Sequence, residues 1–171
     1  MRRVKYFVAS SLDNYIASVD GSFDWLFSDQ DYGMTEFFAN VDLGLIGRKT
    51  WDQMKTLDWS IYKAFKNYVF SHTEQPGERD GVEFTRESPV ALVEREKKKP
   101  GKDIWLCGGA ALAHSLLEAR LIDDFIVAVH PIMIGDGIPL FPKPYPRHEL
   151  NLVKCKPYDT GLVHLFYGVK R

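Results

Sequence analysis

The sequence predicts an α/β fold, and three stretches carry that prediction. The first runs from Asp103 to Phe141, DIWLCGGAALAHSLLEARLIDDFIVAVHPIMIGDGIPLF. In it an apolar run (Ile104 to Cys107) meets Gly108 and Gly109. An amphipathic segment with Leu112, Leu116 and Leu117 on one face follows, and then a second β-rich run, Phe125 to Val129. Strand, glycine turn, helix and strand is the order of a βαβ unit. The second stretch repeats the junction: the buried-strand pattern of Val41 to Ile46 runs into Gly47-Arg48-Lys49-Thr50-Trp51. The third lies at the end of the chain. Leu150 to Lys156 and Gly161 to Lys170 read as two strands joined by a turn at Asp159-Thr160-Gly161, an antiparallel hairpin at the sheet edge.

The remaining elements follow in order. Val4 to Ser10 is a β-prone apolar run that belongs centrally in a sheet. Asp13-Asn14 and Asp20-Gly21 are turn signals bracketing a short apolar stretch, Tyr15 to Ala17. A loop this long after a first strand suggests a role in a site. Asp13 reads either as a site carboxylate or as an Asx-turn residue. Tyr32 to Asn40 predicts a short helix with Phe37 and Phe38 toward the core, and Trp59 to Lys66 a weak helical piece. Asn67 to Ser71 is a third strand, Gln75 to Gly81 a polar turn and Val82 to Thr85 a short strand. Ser88-Pro89 has the chemistry of a helix start, an N-cap followed by proline in the first turn. The lysines before Pro100-Gly101 complement the dipole at that helix's end and read as solvated. Pro131 to Pro146, rich in glycine and proline, is too long and patterned for a simple turn.

A length of 171 residues fits one domain, and 45% hydrophobic with 26% charged residues is a globular composition. A net charge of −1 gives no general attraction to nucleic acid or to a membrane surface, so any anionic ligand must be met by local groups. No apolar run has the length of a membrane span, and the start is too mixed for a signal peptide. Cys107 and Cys155 lack metal-ligand spacing, so the expectation is free thiols, no metal and a cytoplasmic location. The glycine junctions offer two alternatives, a turn that binds nothing or a cradle whose backbone amides hold an anion. Two junctions in one sheet favour the cradle, because parallel sheets place ligands at the carboxyl ends of their strands. Arg48 and Lys49 could then pair with phosphate oxygens, and Thr50 could cap the helix or bind the phosphate. Ser71 and His72 could reach the same edge. His114, His130 and His164 read as structural.

In combination these pieces resemble the dihydrofolate reductase-like superfamily. Within it they are most similar to the reductase domain of the riboflavin-biosynthesis deaminase-reductase and its stand-alone relatives. The resemblance spans nearly the whole chain. It is carried by Ser11-Leu12-Asp13 with Ile16-Ala17, by Gly47-Arg48-Lys49-Thr50, by Gly108-Gly109-Ala110 and by Leu121-Ile122-Asp123-Asp124. The tail His130-Pro131 followed by Gly135-Asp136-Gly137-Ile138-Pro139-Leu140-Phe141 is the most distinctive part. It implies a three-layer α/β/α domain with a mostly parallel central sheet, NADPH across the strand ends, a heterocyclic substrate and a homodimer. By position, Gly47 to Thr50 and Gly108, Gly109, Ala110 and Ala111 would hold the cofactor phosphates, and relatives often have a cis Gly-Gly peptide here. Ser71 and His72 would meet the adenosine ribose and its 2′-phosphate, and Arg48 and Lys49 would select NADP over NAD. Ala9 and Ile16 would pack on the nicotinamide.

The substrate side departs from the pattern. The riboflavin enzyme has a lysine six places before the motif aspartate, where this chain has Phe7. Its acidic residue after the second turn falls near Met54 here, with Asp52 two positions early. Glu36 is the one candidate for the helix carboxylate of dihydrofolate reductase. Asp13 is the candidate substrate contact or proton relay, Trp25 and Trp51 are candidate walls for a planar heterocycle, and the loop around Gly137 is a candidate cover. Three functions stay open: an NADPH-dependent reductase of a pterin- or pyrimidine-like heterocycle, a reductase of another carbonyl or imine, and a non-catalytic NADP-sensing protein.

Overall fold

The computed structural model describes residues 1–56 and 60–170. In chain order the elements are β1 (Val4–Ser10), β2 (Tyr15–Ala17), α1 (Met34–Ala39), β3 (Val41–Gly47), α2 (Arg48–Met54), a 3-10 turn (Ser60–Ala64), β4 (Lys66–Phe70), β5 (Gly77–Arg79), β6 (Val82–Thr85), α3 (Pro89–Lys97), β7 (Asp103–Gly108), α4 (Ala110–Glu118), β8 (Asp124–Val129), β9 (Ile138–Pro139), β10 (Leu150–Pro157) and β11 (Val163–Val169). Nine strands form one sheet in the order β10-β11-β8-β1-β7-β3-β4-β6-β5, and β2 pairs with β9 apart from it. The ladders from β8 through β1, β7, β3 and β4 to β6 are parallel, while β10–β11, β11–β8 and β5–β6 are antiparallel. The mostly parallel sheet, its central first strand and its antiparallel closing hairpin are therefore as expected.

Strand alternation sorts the core into two layers. On β7, Ile104 and Leu106 join Val4 and Tyr6 of β1 under Leu92 and Val93 of α3 and Leu112 and Leu116 of α4. Trp105, the residue between them, packs on the other face with Phe38 of α1 and Val41, and Trp51 of α2 packs there with Ile46, Val69 and Phe84. Helices thus cover both faces. None of the described helices is long and apolar enough to cross a membrane.

Some predicted boundaries shift. The helix expected from Tyr32 begins at Met34, because Tyr32 (φ 49°) and Gly33 (φ 77°) are both left-handed. The polar turn at 75–81 contains β5, which adds an antiparallel edge strand. The helical piece expected at 59–66 is the 3-10 turn; Trp59 lies outside the described residues. Of the lysine run, Lys98 and Lys99 are exposed as expected, whereas Lys97 turns inward, its Nζ 2.6 Å from the buried carboxylate of Asp123. Ser88 does cap α3, accepting from the amide of Ala91. Both cysteines are free thiols.

Candidate functional site

The two glycine junctions stand side by side. β3 and β7 are paired neighbours, with Ile46 opposite Gly108, so both chains leave the sheet at the same carboxyl edge. A Cβ on Gly47 would lie 3.0 Å from the amide nitrogen of Gly109, and one on Gly109 would lie 3.1 Å from Thr50 Oγ1. The Gly108–Gly109 peptide is cis, and Gly108 has φ 129°, a conformation that favours glycine. Among the described residues no side chain caps α2 or α4, in contrast to α3. The first amides of α4 therefore keep their donors for a partner outside the helix. The junction is thus lined by backbone.

Around it the predicted polar residues divide. Arg48 does not face an open anion site as expected. Its guanidinium pairs with Asp52 one helical turn on, and its Nη2 lies 2.8 Å from Glu74. Glu74 also takes Arg79 at 2.9 Å, and the Arg48 hydrogen bond is the main reason its pKa falls below the ordinary value. Lys49 is exposed and remains available to an anion. Ser71 is buried and closes its own turn, its Oγ accepting from the amides of Glu74 at 3.0 Å and Thr73 at 3.3 Å. His72 is exposed at the same strand end.

Asp13 takes a structural part in a long-range clamp. Its carboxylate accepts from the amide of Gly135 at 2.8 Å and that of Ile134 at 3.3 Å. The Ser11 hydroxyl first, and those amides after it, hold its pKa below the ordinary carboxylate value. The clamp continues in bonds from the Leu12 amide to the Ile132 carbonyl and from the Leu140 amide to the Asn14 carbonyl. Gly137 sits where a Cβ would lie 2.2 Å from the carbonyl oxygen of Ala17, which is why β2 and β9 can pair there. Ala9 packs against Tyr32, Ala128 and Leu162, whereas Ile16 packs on the main core, so the two expected nicotinamide neighbours belong to different clusters.

The tryptophans separate. Trp51 is 2% exposed inside the core of β3, β4 and β6, so the expectation that it walls a substrate is corrected. The indole had to go inward because α2 turns that face to the sheet. Trp25 is half-buried at the end of β8, edge-on to His130 at 5.2 Å between ring centroids. Sequence reasoning undervalued four groups on the β10–β11 hairpin. Lys156 stands opposite His164 and Lys154 opposite Phe166 in the strand register, facing Phe7 and Phe37. Once the hairpin register is known, the alternation of 154/156 with 164/166 reveals them.

Parallel strands ending in two adjacent glycine turns, each feeding a helix, define the class: an α/β protein with a mostly parallel sheet and paired glycine junctions at its carboxyl edge. Comparison narrows that class to a family. The model of the RibD C-terminal domain matches residues 2–164, and the chain belongs to that family. It is 34% identical to the uncharacterized protein YyaP of Bacillus subtilis (strain 168) over 97% of this chain and 94% of that protein. It is also 34% identical to the uncharacterized protein YwjB of the same organism, over 97% of each chain. A crystal structure from Shewanella sp. PV-4, of a protein provisionally assigned to riboflavin biosynthesis, matches with TM-score 0.86 at 25% identity over 99% of both chains. The deaminase/5-amino-6-(5-phosphoribosylamino)uracil reductase of Thermotoga maritima shares the fold, with TM-score 0.76 at 14% identity over 99% of this chain and 57% of that one.

Proposed function

We propose that this chain is an NADPH-dependent reductase of a small heterocyclic substrate. One observation carries the reading: the Gly47 and Gly108–Gly109 junctions pack against each other at one sheet edge, beside uncapped amides of α4. The family supports it, since a fold relative is named as a uracil-intermediate reductase. In this reading Gly47, Lys49, Thr50 and residues 108–111 hold the cofactor phosphates, with Ser71 and His72 at the adenosine end. Bound there, NADPH supplies the hydride. The chain supplies orientation and exclusion of water. Asp13 is ionised at neutral pH, so it positions the 132–140 loop and does not donate a proton. Phe7, edge-on to Phe37 at 4.8 Å, makes the first-strand position apolar. That observation favours a substrate other than the riboflavin intermediate, including another carbonyl or imine.

The test is a calorimetric titration of the purified protein with NADPH and, separately, NADH. Micromolar binding of NADPH with preference over NADH is expected, and Gly109→Val is expected to remove that binding from a folded protein. Binding of neither nucleotide would overturn the cofactor site, and unchanged affinity in the valine variant would place it elsewhere. Binding of NADPH without turnover across a heterocycle panel would favour the non-catalytic NADP-sensing alternative.

A further inference from the structure

A cleft of about 190 Å³ lies between α1 and the faces of β1, β8, β10 and β11. His164 lines it from β11. The residue is 3% exposed, and its ring makes no hydrogen bond among the described residues. Beside it the Tyr158 hydroxyl is buried without a hydrogen-bond partner among the described residues; buried polar groups normally have partners, so these two polar groups at one cleft wall point to a ligand that completes them. Burial first, then Lys156 and His130, pull its pKa down to about 4. It is neutral at pH 7, one nitrogen donating and the other accepting.

The walls around it are aromatic. Phe7 and Tyr158 meet the His164 ring edge-on at 5.4 Å and 5.1 Å. Two cations stand above these walls: Lys156 Nζ is 4.7 Å from the centre of the Tyr158 ring and Lys154 Nζ 5.6 Å from that of Phe166. Neither has a carboxylate partner among the described residues, whereas Lys5, also at the cleft, is paired with Asp103 at 2.8 Å. Glu36, exposed on α1, is the carboxylate among the lining residues. The balance around the ring therefore favours an anion. Size limits the ligand as well: a cavity of ~150 Å³ accepts benzene. A volume of about 190 Å³ suits one six-membered ring with a small substituent.

We propose that the cleft binds the substrate as a planar heteroaromatic acid, its ring between Phe7, Phe37 and Tyr158, its polar edge on His164 and its carboxylate on Lys154 and Lys156. This rests on the reductase reading for one point only. Phe7 and Ala9 share a side of β1, so the bound ring lies beside the place where the nicotinamide is expected.

The probes are orotate, a pyrimidine carboxylate, and uracil, its neutral counterpart, titrated calorimetrically and followed by amide shifts at Tyr158 and Phe166. Orotate should bind saturably and about tenfold or more tighter than uracil. The double variant K154Q/K156Q should remove that advantage while leaving uracil unchanged, and H164F should weaken both ligands. Both lysines reach solvent, so their replacement leaves the fold intact even if H164F does not fold. Equal affinity for the two probes, no saturable binding at millimolar orotate, or indifference to K154Q/K156Q would overturn the cleft assignment. NADPH is titrated in parallel. Orotate binding without NADPH binding would sink the reductase reading and keep the cleft, and the converse would sink the cleft alone.

Discussion

His130 is buried at the end of β8, its Nδ1 donating to the Ala128 carbonyl at 3.1 Å and its Nε2 accepting from the Phe27 amide at 3.2 Å. That pairing assigns the neutral tautomer, because a protonated Nε2 would face an N–H. Its pKa is lowered, chiefly by burial, and burial lowers that of His164 to about 4. A histidine with a depressed folded-state pKa stabilises fully above its unfolded value. Below 6.5 the unfolded chain takes up protons that the folded chain refuses, and stability falls until about pH 4. Denaturant midpoints measured across that window should therefore fall with pH. The fall should be shallower in H164F, which removes one of the two groups. Identical slopes in the two proteins would mean that the buried imidazole of His164 does not set the pH response. Asp13 adds to the fall in the same direction. With a lowered pKa it holds the 134–135 amides at neutral pH and releases them only as pH falls through that lowered value.

At the scale of elements, the small β2–β9 ladder fixes the 132–140 loop against residues 12–17. Tyr15 pairs with Pro139 and Ala17 with Ile138, and Gly137 lets the two backbones meet. Gly137→Ala forces a methyl into the Ala17 carbonyl, where backbone has to move. The expected cost is about 1–3 kcal/mol in urea denaturation, with faster amide exchange confined to 15–17 and 134–140. A neutral substitution would mean that the loop is free to shift there. The same elements show why sequence reading reached some features and missed others. β1, β3, β6, β7 and β8 were legible because each is an apolar run bounded by turn residues. β5 and β9 have three and two residues, too short to carry any period. Asp52 beside Arg48 follows from helical spacing, but Glu74 lies 26 positions from Arg48 and no local pattern reports it. Whether Trp51 or Trp25 faces solvent is a packing outcome. The cleft at His164 needs the hairpin register as well as the strands.

The whole molecule divides its tasks between the two ends of the sheet. The carboxyl ends carry glycine turns and uncapped helix starts, and the amino ends carry ionic staples. Arg2 is buried between Asp42 and Glu96, Arg3 pairs with Asp124 at 2.6 Å, and Lys5 pairs with Asp103. The central staple is Asp123, 3% exposed, whose Oδ2 accepts from the Val4 amide at 2.8 Å and from Lys97 Nζ at 2.6 Å. Its backbone carbonyl takes the Val169 amide, so one residue ties β1, α3 and β11 together. Removing one member of a buried pair leaves the other charge without compensation and typically costs about 3–5 kcal/mol. Asp123→Ala leaves the ammonium of Lys97 and the amide of Val4 without their carboxylate and should lose stability on that scale in urea denaturation. Because the amino end contributes nothing to the glycine cradle, the folded variant should bind NADPH with unchanged affinity. The double variant D123A/K97M, which removes both charges, should recover part of the loss. If it recovered nothing, the Val4 hydrogen bond rather than the ion pair would be what Asp123 contributes. If Asp123→Ala instead weakened nucleotide binding in proportion to its loss of stability, the two ends of the sheet would be coupled, and the cradle would depend on tension set at the opposite edge.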